Sequence, residues 1–254
     1  MGPLTRGLPL AVILVLGTGG CASLGNNGPL WPKIQSASVN AVKKKSVWIP
    51  LLSAAVIGVT DADDSTSDWA TEHTPLFGSA GAAADGSSDL VSTLMVSAVI
   101  SSLLAESDSR GRFKRVAING LAVSSNHRIT RGMKNLARRE RPNGLSDQSF
   151  PSMHASNAFV AAEITSRNLA FMQLDDRKRS YFDAGLYTLA STAAWARVEA
   201  GAHYPSDVLA GAALGSFLAG LFNETFLNGD SSKALSFQPL SHGATVTLYW
   251  QLNP

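Results

Sequence analysis

From about residue 46 onwards the chain is a succession of helix-length segments separated by turn signals, which restricts it to helix-on-helix packing. The clearest segments are 46–60, 89–107, 113–139, 152–172, 180–198 and 205–227. Within each, small and aliphatic residues recur at mixed three- and four-residue intervals, the spacing that gathers them on one helical face. Residues 61–88 are rich in Asp, Gly and Ala and are expected to form loops with a helical turn at most. No internal repeat is present. The fold class expected is all-α: a single bundle of about six helices over 46–228, within reach of one core for a chain of 254 residues. The tail, 229–254, differs. Residues 234–240 and 244–252 flank Ser241-His242-Gly243, and the second stretch holds Thr, Val, Leu, Tyr and Trp, which predicts a short C-terminal β-hairpin.

Within these helical segments the longest charge-free stretches, 90–105 and 208–223, each hold 16 residues, short of the roughly 18 to 20 that a spanning helix needs. Mean hydropathy is only +0.07. A bundle tethered to a membrane surface is therefore expected in preference to a multi-pass protein. The tether is read from the start of the chain. Arg6, an apolar run over 8–16 and small residues over 17–22 form an export signal covering 1–21, with a polar tether over 22–45. The single cysteine, Cys21, stands where that signal ends. Cleavage before it and lipidation of its thiol would place the protein in the periplasm or cell envelope, although Thr18 replaces the Leu usual in such signals. One cysteine leaves no pair for a disulfide, so stability must come from packing.

Net charge is +2, which argues against a dedicated nucleic-acid binder. Of the 21 Lys and Arg residues, six fall within 128–141. Such local basicity suits a small anion held at one place.

Three clusters carry the chemistry. In the first, Lys134 and Arg141 are seven residues apart, nearly two helical turns, so they share a face with Arg138 between them. Pro142 disfavours helical geometry at Arg141 and should release it into the following loop. In the second, Pro151 suits the first position of a helix, which would put Ser152 and Met153 in its first turn with His154 close behind. Free N–H groups and the helix dipole make such an end an anion site. In the third, Pro205 opens another helix, leaving His203 just outside it and Asp207 one turn inside. A carboxylate there can accept the proton of one imidazole nitrogen and free the other as an uncharged nucleophile. Arg197 reaches the same place from the preceding helix. Each cluster alone also fits a plainer role: a solvated basic stripe, an ordinary helix start, a helix cap.

In this order, Lys-x6-Arg-Pro, Pro-Ser-x-His and Arg-x5-His-x3-Asp resemble the three signature motifs of the type 2 phosphatidic acid phosphatase family. That family includes lipid phosphate phosphatases, bacterial class A acid phosphatases and vanadium haloperoxidases. The resemblance implies that Lys134, Arg141, Arg197, Ser152 and the Met153 N–H bind the phosphoryl oxygens. It makes His203 the nucleophile, Asp207 its orienting partner and His154 the acid for the leaving oxygen. It implies a phosphomonoester or lipid phosphate as substrate, with no metal and no cofactor. A phosphotransferase or a vanadate-loaded haloperoxidase could use the same residues, and a non-catalytic envelope protein binding anionic lipid is the alternative of a different class. The chain departs from the family pattern at Met153, where Gly is usual, and at Ala196, where Ser is usual.

His73, His127 and His242 have no partners at metal-ligand spacing. Asp61, Asp63, Ser65 and Glu72 partly follow a calcium-loop spacing, but Thr66 stands where that loop needs Gly. Lys43–Lys45 and Arg177–Arg179 are expected to be solvated helix ends.

Overall fold

A computed structural model describes residues 30–172, 174–227, 233–240 and 243–250. The export signal, Cys21 and the first part of the tether lie outside the described residues. Among these, eight helices form the fold where the sequence led us to expect six: α1 Leu30–Val42, α2 Lys45–Ile57, α3 Ala62–His73, α4 Ala80–Leu104, α5 Ser109–Ala137, α6 Met153–Phe171, α7 Asp176–Glu199 and α8 Pro205–Phe226. After α8, β1 (Lys233–Leu240) and β2 (Gly243–Trp250) pair antiparallel, with Lys233 opposite Trp250 and Leu240 opposite Gly243.

The two extra helices arise where polar composition concealed helical order. Residues 30–42, expected within the tether, form α1, whose Ala37 and Ala41 are buried; Ala41 packs beside Gly220 of α8. Residues 62–73, expected as loop, form α3. Its Asp63 and Asp64 lie in the first turn, where carboxylates suit the positive end of the helix dipole. The Ala-rich stretch before residue 89 is helical too. Ser79 caps α4 by accepting the Ala82 N–H at 3.2 Å, and Ala is the strongest helix former. At Gly86, which suggested a loop, an added Cβ would come 2.5 Å from the Phe77 ring. The glycine is there to let Phe77 lie against the helix.

This lengthening changes the membrane reading. By length and composition, α4 (25 residues) and α8 (22 residues) can each cross a membrane, and α2 with α3, bent by 96°, pass the same test together. Expecting only stretches too short to span was wrong for α4 and α8. Helix α8 is largely buried in the bundle. By contrast, α4 exposes Val96, Val99, Ile100, Leu103 and Leu104, and α2 exposes Trp48, Ile49, Leu52 and Val56.

Helix α6 is buried around most of its circumference, against α4, α7 and α8. Alanine dominates these contacts: Ala155, Ala158, Ala161, Ala162, Ala190, Ala193 and Ala212 are all buried. The closest approach is between α6 and α8. A Cβ at Gly211 would lie 2.5 Å from the Ser152 carbonyl oxygen, and one at Gly215 would lie 2.2 Å from that of Ser156. Residues rising along α8 thus meet residues rising along α6, so the helices run parallel. Both N-termini consequently emerge at the same end of the bundle.

Candidate active site

Four chain segments meet at that end: the C-termini of α5 and α7 and the N-termini of α6 and α8. Lys134 lies in the last turn of α5, 6% exposed, with Nζ donating to the carbonyls of Gln148 at 2.5 Å and Ser149 at 3.4 Å. Helix α5 stops at Ala137, earlier than its sequence suggests. Arg138 takes a left-handed backbone (φ 44°) and is exposed, so it does not share a face with Lys134 and Arg141. The loop that follows is held by its own backbone. Arg141 N–H donates to Ser146 O at 2.9 Å, Ser149 N–H to Arg139 O at 2.8 Å, and Asn143 N–H to Gly201 O at 3.0 Å. These bonds carry Arg141 back to the site, where its Nε is buried without a hydrogen-bond partner among the described residues.

Helix α6 begins at Met153, two residues after Pro151, so Ser152 is the N-cap and stands just outside the first turn. Its hydroxyl accepts the Ala155 N–H at 3.4 Å, and its N–H donates to the Asp207 carbonyl at 3.0 Å. Met153 is the first helical residue, where backbone N–H groups have no partner within the helix.

Helix α8 begins at Pro205. The turn before it folds back on α7: the Arg197 carbonyl accepts N–H groups from Ala202 at 3.1 Å and His203 at 3.2 Å, and Gly201 adopts φ 62°. Arg197 and His203 therefore arrive together. Arg197 Nε, like Arg141 Nε, is buried without a hydrogen-bond partner among the described residues. His203 is 2% exposed, and its Nδ1 lies 3.9 Å from Asp207 Oδ2, too far for a hydrogen bond.

Electrostatics place these groups in one neighbourhood. Burial, then the charge of Arg141, pushes Lys134 down to about 8. Burial likewise holds His203 down at about 4, against the upward pull of Asp207. His154 is also held at about 4, first by burial, then by Arg197, His203, Arg141 and Lys134. Both imidazoles are neutral at pH 7 in the unliganded site. The cations that depress His154 would be offset by a bound dianion, so an anionic ligand raises its proton affinity. On its open side, His154 Nε2 stands 3.5 Å from Ser88 Oγ of α4.

Three residues at this centre were not singled out for it from the sequence. Ser149 donates its hydroxyl to Asp207 Oδ2 at 2.5 Å. Arg139 donates to Asp207 Oδ1 at 2.7 Å and to Asp63 Oδ2 at 2.7 Å. Asp63 accepts the Ser206 N–H at 2.8 Å and is spent on that helix end, so the partial calcium-loop match has a structural explanation. Among the described residues, no group of three or more His, Cys, Asp or Glu side chains is placed to hold a metal ion.

The PAP2 superfamily model matches residues 116–228, a span containing all eight site residues from Lys134 to Asp207. These residues form a PAP2 superfamily segment. A lipid A 1-phosphatase of Porphyromonas gingivalis is similar to this chain, 39% identical over 77 residues, or 30% of this chain. The match spans only 16% of that relative's length. The crystal structure of the first transmembrane PAP2-type phosphatidylglycerolphosphate phosphatase, from Bacillus subtilis, is similar with a TM-score of 0.53 and 23% identity. It aligns with 74% of this chain and 94% of its own. At that identity the likeness is one of fold.

Proposed function

We propose that this chain is a phosphatase that hydrolyses a lipid phosphate or other phosphomonoester through a phosphohistidine. The observation that carries the reading is a cluster of buried cations with donors to spare. Lys134, Arg141 and Arg197 all act on His154, Lys134 and Arg197 also act on His203, and two guanidinium Nε groups there have no hydrogen-bond partner among the described residues. Phosphoryl transfer depends mainly on positioning and charge stabilisation, which three fixed cations and two helix N-termini can supply.

In the proposed reaction His203, neutral at pH 7, attacks phosphorus through Nε2 as the bond to the leaving oxygen breaks. His154, protonated once the dianionic substrate offsets the surrounding cations, gives that proton to the leaving oxygen. Water then cleaves the N–P bond, with His154 accepting a proton from the water and His203 leaving. Asp207 stabilises the cationic imidazole, and Met153 N–H with the Ser152 end of α6 faces the phosphoryl oxygens. Met153 replaces the glycine usual at this position and narrows the site beside them.

A lipid substrate is favoured by what surrounds the site. Leu76, Leu136 and Leu145, from three segments flanking it, are 64%, 87% and 82% exposed. Together with the exposed apolar faces of α2 and α4, they suit a membrane-associated protein meeting a substrate with acyl chains. The lipid anchor at Cys21 and the placement outside the cytoplasm remain part of the proposal, on the sequence alone.

The test is phosphate release in chelator from a panel of soluble and lipid phosphates, with His203→Ala in parallel. Release by the parent and loss of at least 1,000-fold in the variant is the expected result, on the order of the loss when a nucleophile is removed. Equal release by both proteins would overturn the assignment of His203.

A further inference from the structure

Asp207 is completely buried and lies on α8, which packs against α6. A lone carboxylate in such a place would neutralise itself unless its partners held its charge. It has three hydrogen-bond donors: Arg139 Nη1 on Oδ1 at 2.7 Å, Ser149 Oγ on Oδ2 at 2.5 Å, and the Tyr204 N–H on Oδ2 at 2.9 Å. His203 Nδ1, at 3.9 Å, is left to the remaining side of Oδ2.

Arg139 is itself fixed from several directions. Its Nη1 also donates to Ser206 Oγ at 2.8 Å, and its Nη2 reaches Asp63 Oδ2 at 2.7 Å. The Tyr204 ring lies 4.0 Å from the guanidinium carbon. Asp63, 3% exposed on α3, accepts both the N–H and the hydroxyl of Ser206. One planar cation thus joins α3 to the first turn of α8. Buried ion pairs are a poor source of stability, because desolvation offsets most of their attraction. What such an arrangement provides is geometry: a planar fork fixes two carboxylates at once, which an ammonium group cannot do.

We propose that Arg139 and Asp63 are positioning residues for the nucleophile. Arg139 grips Oδ1 of Asp207 and is held by Asp63, so that Oδ2 faces His203 Nδ1 and fixes the tautomer with a free Nε2. Arg139 also offsets part of the Asp207 charge, which keeps the proton on Nδ1 from transferring to the carboxylate and limits how strongly the imidazole is drawn towards its charged form. Other charged or titratable groups acting on this pair are Lys134, Arg197 and His154. The inference rests on the phosphatase reading for its activity test, though its geometry can be checked without turnover.

The experiment compares Arg139→Lys, Arg139→Gln, Asp63→Asn and the Arg139→Gln/Asp63→Asn pair in the full chain. Phosphate release is measured against pH, alongside the 15N imidazole spectrum of histidine-labelled protein, in which the five His residues are assigned by substitution. Arg139→Gln should lower kcat about 100-fold, with KM changed less than threefold, and shift the His203 resonances towards a mixed tautomer. Arg139→Lys should recover part of kcat. Asp63→Asn should act in the same direction more weakly, and the double variant should lose less than the product of the singles. An unchanged His203 tautomer in folded Arg139→Gln protein would overturn the inference, even if activity fell through a purely structural effect. Parent protein that releases no phosphate would count against the phosphatase reading alone, because the tautomer would still decide this one.

Discussion

Both ends of the bundle are cationic, and they use their cations in opposite ways. At the α6 and α8 N-termini, Lys134 and Arg197 are 6% and 9% exposed and are fixed by loops that bond to themselves. Away from that end, the helix junctions carry Lys43–Lys45, beside the middle of α6, and Arg110, Arg112, Arg177 and Lys178, towards its C-terminus, all exposed. Near them stand exposed Leu104, Phe113, Phe171, Tyr181 and Phe182. The two ends differ little in charge number. They differ in whether the backbone takes the charge out of water. A buried cation with unused donors has a strong reason to bind an anion; an exposed one is already satisfied by solvent or by a head-group layer.

Replacing Lys134 with Met should test that contrast most severely, lowering kcat/KM on the order of 100- to 1,000-fold in steady-state phosphate release. A loss below threefold would put Lys134 on the same footing as the exposed lysines.

Acid should separate the ends next. His203 titrates at about 4 in the folded chain, below its ordinary value of 6.5. Between those values the unfolded chain binds more protons, so stability is present above pH 6.5 and is lost as pH falls towards 4. For a histidine this buried the loss is on the order of 3 kcal/mol. It should appear as a falling Tm in a pH series, and His203→Gln should flatten the slope. A parent Tm independent of pH across that window would contradict the burial argument.

Gly215→Ala gives a more modest break, about 1–3 kcal/mol from overpacking α6 against α8. It should also lower kcat, because both helix N-termini shift with the contact. The smallest effect on turnover belongs to Lys43, Lys44 and Lys45 together replaced by Gln: kcat on a soluble phosphate within twofold of the parent. Sedimentation with vesicles containing anionic lipid should nevertheless weaken by about tenfold or more, at roughly 1 kcal/mol per charge near the surface.

The residues proposed to react could be picked out in the chain because each is tied to a short-range signal. Pro205 marks the start of α8, and the spacing of His203 and Asp207 about it survives unchanged in three dimensions. Arg197 lies in the last turn of its helix, as expected, whereas α5 ends at Ala137, short of the end at Arg141 that Pro142 suggests. Arg139 was hidden by its neighbours. Three arginines stand within Arg138-Arg139-Glu140-Arg141, and only the left-handed turn at Arg138, a conformation arginine rarely adopts, decides which of them points inward. Asp63 was hidden by distance, since 143 residues separate it from Ser206. The extra length of α4 was concealed by Asp85 and Asp89, which interrupt the apolar composition without interrupting the helix.

That long-range tie through Asp63 separates the stretch by which this chain is recognised from the stretch needed to build its site. Residues 116–228 hold every signature residue, yet a fragment with those bounds would lack α3 and leave Arg139 gripping one carboxylate instead of two. In a chain emerging from synthesis, α3 is made long before the α8 end it must clasp. Onset of phosphate release would therefore report the last closure of the bundle, when the earliest and latest parts of the domain come into register.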